Sequence, residues 1–496
     1  MMRLTVSAIT VMVFCTIARA SSYYVSPLGN DANAGSIDQP WLTIQRAANT
    51  LAPGDTVYVR DGIYNEAVAV NVSGSPTGGL ISFVNFPNES PVIDGGTLTP
   101  PSNDFSGLFY IRDRSYIVVQ GFELRNFRET TGRGAPSGIH VEGASHDIRI
   151  RGNNIHGIEF DTANGNAFGI SIYGTSKAQP ITNLVIDGNE VHHLKTGNSE
   201  SLVLNGNVTN FAVTNNRVHD NNNIGIDFIG FEKTCPDPKQ DQARDGVCRN
   251  NVVWNISSLT NPAYRGDTSA TGIYCDGAAR VLIERNVISL CDYGAELSSE
   301  HSGRTSRDCV FRDNFVFWCR HPGLSLGGYA ARNTGGTYHC TVTGNTFFQN
   351  NTSDQGDGEI MFQFRVFNCV LKNNILVAGP SGLLISNATP ARNTSGDVLD
   401  YNLYFSPLGV DGSMWVWKNR QNDGFAAWKN ASRQDVHSIF ADPKLVDTGT
   451  PDLHIQAGSP AIDAGDPALL PAEGETDIDG GARLDAGNMD IGADEL

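Results

Sequence analysis

Two acids stand on neighbouring Gly-led segments of this 496-residue chain: Asp276 in GIYCDG (272–277) and Glu296 in GAELSS (294–299). A third, Asp227, stands on GIDFIG (225–230). A carboxyl group that keeps its proton can protonate a glycosidic oxygen, while an ionised partner attacks carbon or activates water. If the segments are strands stacked ~4.8 Å apart, with a two-residue step of ~6.6 Å, the Cα atoms of Asp276 and Glu296 fall ~8 Å from each other. Their carboxyl groups then approach to ~5 to 9 Å, the span of retaining and inverting glycosidases. Asp227 falls two coils below Glu296, and three such acids repel, raising the pKa of at least one when bound sugar dries the patch. The plainer reading makes Asp276-Gly277 a turn and Glu296 part of a solvated strand face.

Around these acids, Tyr274, Glu300, His301, Arg265 and Arg304 are placed to contact substrate, and His301 can serve as a base near neutral pH. A histidine after a strand is also an ordinary solvated turn residue. His140 and Glu142, three to four coils away, read as a wet strand face. The insertions 231–247 and 257–271 leave the coils that carry Asp227 and Asp276, and loops of that length commonly wall a groove.

What must position these residues is a repeat. A tag of Asn, any residue, then an apolar residue recurs at Asn153, Asn189, Asn216, Asn251, Asn286, Asn314, Asn345 and Asn374. Alternating apolar residues precede each tag, and a second alternating strand follows a Gly-rich turn, as in GISIYG, LVLNG and GLSLGG. No unit can bury its apolar face alone, so the units stack into an all-β, right-handed parallel β-helix of about ten coils. The asparagines hold corners and bind no ligand. Reading the first outward position coil by coil gives His140, Ser171, Val203, Asp227, Tyr274, Glu296 and Ser325. The second column gives Glu142, Tyr173, Asn205, Ile229, Asp276, Ser298 and Gly327.

Open ends need covers. Residues 40–55, with Leu42, Ile44, Ala47, Ala48 and Leu51 on one helical face, predict an N-terminal helical cap. Tyr401 to Trp428 holds three of the six Trp and predicts an aromatic-rich C-terminal cap ahead of a sugar-stacking platform. The expected divisions are 1–20, a secretory signal; 21–400, the β-helix; and 401–496, the C-terminal cap and tail. The protein is expected to be secreted or periplasmic, monomeric, and without a membrane span. A net charge of −18 argues against nucleic acid as a partner. Most cysteines fall on inward strand positions, with local bridges Cys235–Cys248 and Cys291–Cys319 as options. There is no Walker loop, zinc-type Cys and His spacing or Ser nucleophile elbow, and TDIDGG (476–481) lacks full EF-hand spacing.

The opening YYVSPLGNDANAGSIDQPWLTIQRAANTLAPGDTVYVRDGIYNE, the closing SPAIDAG and DIGADEL, and the Asn-tag coils resemble the pectate-lyase-like right-handed parallel β-helix superfamily. That resemblance implies a fold whose members mostly cleave or modify polysaccharides, without fixing the reaction. GIYCDGAARVLIERNVISLCDYGAE is similar to the catalytic stretch of β-helical β-xylosidases, which implies Asp276 as nucleophile and Glu296 as acid/base. Gly277 stands where that family has an aromatic residue, and the interval to the Glu is shorter. AELSSEHS resembles the calcium-and-base segment of alginate and chondroitin lyases. There Glu296 fits one Glu, Gly294 replaces the other, and His301 replaces a Lys.

Three functions follow as expectations. The first is cleavage of glycosidic bonds in a polysaccharide or oligosaccharide by hydrolysis, needing no cofactor or metal. The second is calcium-assisted β-elimination on a uronate polymer, with Glu296, Asp276 and Asp227 holding Ca2+. The third is non-catalytic glycan binding.

Overall fold

The computed structural model describes residues 20–101, 104–130, 132–160, 162–484 and 487–496. The expected signal segment, apart from Ala20, lies outside the described residues. Short strands assemble into three long sheets, one of 17 strands and two of 13, stacked almost entirely in parallel. The molecule is a right-handed parallel β-helix of about 13 turns. The sequence undercounts the coils because the first of them, through Arg125, turn their corners without the Asn tag.

Period-two alternation sends one residue set inward, where it stacks on the same set of the next coil. Val213, Cys248, Ile283, Phe311, Val342, Leu371 and Leu399 lie in register and are buried. Beside them runs an asparagine ladder. From Asn153 to Asn374, each tag's backbone N–H donates to the side-chain oxygen of the next, at 2.9–3.1 Å, and Asn402 extends the series. Each Nδ2 also reaches a carbonyl of the preceding coil, as Asn286 does to Cys248 at 3.0 Å. Buried corner amides thereby satisfy one another.

At the N-terminal end the helix α1 (Ile44–Ala48) starts at its N-cap Thr43 and buries Ile44, Ala47 and Ala48. Leu42 precedes that cap and is exposed, so it leaves the expected face. At the other end Tyr404, Trp415, Trp417 and Trp428 are buried in the main core. They form a lid rather than a platform, with Trp428 carried by the helix α2 (Phe425–Ser432). The tail then turns back along the side of the solenoid. Leu453, Ile455, Ala461 and Ile491 pack there on Phe315, Phe348 and Ile375 as a second apolar layer.

All eight cysteines from Cys235 onward are free and buried, so neither local bridge is present. Seven of them act as small apolar residues of the main core, while Cys235 is buried in the 231–247 loop. Among the described residues no helix is long and apolar enough to cross a membrane.

Candidate active site

One 13-stranded sheet carries the Gly-led strands. Those used here are β1 (Ala135–Glu142), β2 (Phe168–Gly174), β3 (Leu202–Gly206), β4 (Ile226–Ile229), β5 (Thr271–Asp276), β6 (Tyr293–Ser298) and β7 (Leu324–Leu326). Their pairing puts His140, Ser171, Val203, Asp227, Tyr274, Glu296 and Ser325 in one column, in the order expected. Asp276 pairs with Ser298 in the second column. Glu296 therefore sits beside Tyr274 on the next coil, and Asp276 lies two residues along Tyr274's own strand.

The sequence expectation of an open, wet sheet face is corrected. Asp227, Tyr274 and Asp276 are only 2%, 5% and 4% exposed. His140 is fully buried, stacked under Phe105 with ring centroids 4.8 Å apart, and its Nδ1 lies 2.7 Å from Ser171 Oγ. Phe105, Phe168 and Tyr173 surround it, forming an aromatic layer outside the sheet. Burial of His140 lowers its pKa, so the ring is neutral there.

Beyond that layer, acids converge. Burial pushes Asp227 well above the usual carboxylate range, with Glu200 and Asp276 adding to the shift. Burial does the same to Asp276, reinforced by Glu300 and opposed by the Glu300 N–H that Asp276 Oδ1 accepts at 2.7 Å. Glu296 is half-buried, and desolvation pushes it up to about 7 against a hydroxyl bond from Thr271 Oγ1 at 2.5 Å. Glu200 is raised well above its ordinary value by burial and then by Glu232. Glu300 is raised by desolvation and Glu232. Repulsion among these groups adds to desolvation, and none is ion-paired with a Lys or Arg among the described residues.

The two insertions wall this patch. The first supplies Glu232, whose Oε2 accepts Asn205 Nδ2 at 2.7 Å, and Phe231, over which the Arg304 guanidinium lies at 4.7 Å. The second supplies Tyr264, whose phenol is raised by burial and by Glu200, Glu300 and Asp227, and which Asn223 contacts. Arg265, next along, is exposed. His301 Nε2 lies 3.9 Å from Asp276 Oδ2, and ligand atoms of Glu232, Asp276 and His301 all fall within 4.8 Å of one another. Gly277 has φ +76°, and a Cβ there would meet the Phe231 ring at 2.9 Å. A larger residue is excluded at that position, and the aromatic side chain beside Asp276 comes from the preceding coil instead.

Asp227, Tyr274, Asp276, Glu296, Glu300, His301 and Arg304 are thus gathered in one region, whereas Arg265 faces outward. Glu200, Glu232, Tyr264 and Thr271 were not singled out from the sequence. Glu200 lies just before β3, outside the strand whose parity can be counted. Glu232 and Tyr264 belong to loops, although Glu232 stands only two residues after GIDFIG, and that adjacency was a usable signal.

A family model described as Pel9A-like, right-handed β-helix region, matches residues 23–355. The chain is 36% identical over 438 residues to the uncharacterized protein YwoF of Bacillus subtilis (strain 168), covering 88% of this chain and 91% of that protein. It is 29% identical over 171 residues to pectate lyase PEL9 of Emericella nidulans, covering 34% of this chain and 40% of that protein. The crystal structure of pectate lyase Pel9A superposes with a TM-score of 0.50 at 15% identity, covering 97% of each chain. That last likeness concerns the fold alone.

Proposed function

The chain belongs to the Pel9A-like right-handed β-helix family, and from that premise we propose that it is an exported carbohydrate-active enzyme that cleaves glycosidic bonds by hydrolysis. The observation that carries this reading is the placement of Asp276 and Glu296 on adjacent coils, diagonal across Tyr274, inside a pit with two loop walls. Glu296, pushed up to about 7, holds its proton through the weakly acidic range and can give it to the leaving glycosidic oxygen. Asp276 has a backbone donor on one oxygen and an imidazole near the other. The Glu300 N–H pulls Asp276 back toward its ionised form against the burial and the acidic neighbours that raise it, and it is as an anion that Asp276 would meet the positive charge growing at the anomeric carbon, either directly or through water. Tyr274, between the two, is only 5% exposed and spaces the pair rather than presenting a ring face to a sugar.

A second reading rests on Glu232, Asp276 and His301. Carboxylate oxygens with one imidazole fit a divalent cation, which would neutralise a uronate carboxylate during elimination, as the name pectate lyase implies for the relative. In this chain His301 is then the base expected for elimination and also a ligand candidate. One imidazole nitrogen cannot do both at once, which is why hydrolysis is placed first.

The test is product analysis on a panel of neutral and acidic polysaccharides with wild type, Asp276→Asn and Glu296→Gln. New reducing ends without the ultraviolet absorbance of an unsaturated uronate, lost in both variants while glycan binding remains, support hydrolysis. That absorbance, abolished by chelator, establishes the second reading. Unchanged turnover in both variants removes the carboxylate pair.

A further inference from the structure

Away from the acid pit, the C-terminal tail brings together three side chains that are distant in sequence, His454, Asp479 and Asp494. Their ligand atoms all lie within 4.8 Å of one another. Asp494 is 7% exposed, and its Oδ2 accepts the backbone N–H of Ile455 at 2.9 Å. Asp452 takes the other imidazole nitrogen, Nδ1, as its partner. A carboxylate on one ring nitrogen fixes the ring and directs the opposite nitrogen toward a metal, the arrangement that outer carboxylates give to metal-binding histidines.

The opposite nitrogen is the informative atom. His454 Nε2 is buried and has no hydrogen-bond partner, although Asp479 Oδ2 lies only 3.2 Å away. A ring nitrogen and a carboxylate oxygen this close, but out of hydrogen-bonding geometry, suit a shared metal ion as their bridge. Zinc bonds to nitrogen and oxygen are roughly 2.0–2.1 Å, so the edge of a tetrahedral site measures about 3.3 Å. The observed separation matches such an edge. A cavity of about 510 Å³, lined by Arg285, Phe315, Asp452, His454 and Asp479, opens beside the group and leaves room for a water as fourth ligand.

We propose that His454 Nε2, Asp479 and Asp494 bind a divalent transition-metal ion of the zinc type, which clasps the tail to the side of the solenoid. Neutral imidazole and two carboxylates bring such an ion to overall neutrality, and nitrogen mixed with oxygen suits zinc better than calcium. The clasp joins three separate pieces of the tail: the strand with His454, the turn with Asp479 and the final segment with Asp494. Phe315, on the 13-stranded sheet that does not carry the Gly-led strands, stands edge-on to His454, 5.2 Å between ring centroids, so the site rests directly on the coils. No local motif marks it because the ligands come from positions 454, 479 and 494.

The rival occupant is a proton, which would make His454 an imidazolium between Asp452 and Asp479. The full-length protein, stripped with chelator, is titrated with Zn2+ against a chromophoric competitor, and Co2+ is added separately to read the visible spectrum of a nitrogen-and-oxygen site. The expected result is one site, present equally in Asp276→Asn, and at least about tenfold weaker in His454→Gln and in Asp479→Asn. Asp479 is exposed, so its substitution leaves the fold intact. Zn2+ should also slow proteolysis of the tail in wild type and not in the two variants. Binding that is undiminished in both variants, that is lost in Asp276→Asn, or that is absent altogether overturns the proposal.

Discussion

Asp276 Oδ1 accepts the main-chain N–H of Glu300 at 2.7 Å, so the acid on one coil is tied to the segment that leaves the next. Glu296 stands four residues before that anchor, on the same strand-to-loop passage. Both carboxyls are thus fastened at one stretch of chain, 296–300, and Thr271, on the strand of Asp276, donates its hydroxyl to the Glu296 carboxylate. Any movement of this stretch moves the proton donor and its partner together, which is what a paired-acid mechanism needs.

Glu296→Gln removes the proton donor while keeping the shape of the pit, and should lower turnover by about 10²–10⁴ with little change in substrate affinity. The wild-type rate should fall as pH rises through about 7, where Glu296 loses its proton. Thr271→Val deletes the hydroxyl bond that favours the ionised form, so the basic limb should move to higher pH. Steady-state rates between pH 5 and 9 read both effects. A basic limb unmoved by Thr271→Val would separate Glu296 from the titrating group.

The acid pit should weaken the fold at high pH. Asp227, Asp276 and Glu200 have folded-state pKa values above their unfolded ones, so the native state binds more protons than the unfolded chain. Their favourable contribution is full below the unfolded pKa of about 4 and is lost as pH climbs toward the folded values. Asp227, with a buried oxygen lacking a partner, is the clearest case. Asp227→Asn should raise thermal stability at pH 8, by roughly 1–3 kcal/mol, and do much less at pH 4. Melting curves at the two pH values check it, and equal shifts would refute the electrostatic cause.

The asparagine ladder predicts a position-dependent cost. Asn286→Ala takes an acceptor from the N–H and Nδ2 of Asn251 and a donor from the carbonyl of Cys248. The loss should be about 2–4 kcal/mol, since three buried groups lose partners. Asn153→Ala, at the first rung, strands no earlier asparagine and should cost less. Denaturant midpoints of the two variants give the comparison.

The register of 227, 274 and 296 was legible because in-register parallel stacking keeps strand parity from coil to coil, so counting from each Gly puts like positions in one column. Burial was not legible. Asp227 and Asp276 read as wet because parity tells which face a residue occupies, not what covers that face; Tyr264 and the 231–247 loop do the covering. The coil number was short for a related reason, since the early corners use other residues where the later ones use Asn. The Asn-tag repeat led to the fold and strand parity to the pair Asp276 and Glu296, with the family likeness adding to both, but Glu200 and Glu232 enter the pit from loop and pre-strand positions that no repeat marks.

The tail should depend on one buried arginine. Arg483 has a side chain 1% exposed, with its Nε 3.3 Å from Asp313 Oδ1, whose side chain is wholly buried. Its Nη2 donates to the carbonyls of Asp490 and Gly492, joining the coil corner to the closing segment. Burial pushes Asp313 well up, and Arg483 is the largest influence pulling it back. Arg483→Ala leaves that carboxyl only the more distant Arg312, at 3.7 Å, and removes the Nη2 donor from two carbonyls, a change expected to cost about 3–5 kcal/mol in local stability. Because the main core is continuous without the tail, the loss should fall on residues 440–496 alone. Limited proteolysis should trim the variant back to the solenoid while the main thermal transition stays near that of wild type, and Asp313→Asn in the same chain should restore part of the resistance. A variant that unfolds as one unit, with tail and coils lost together, would show instead that the side layer is integral to the stack.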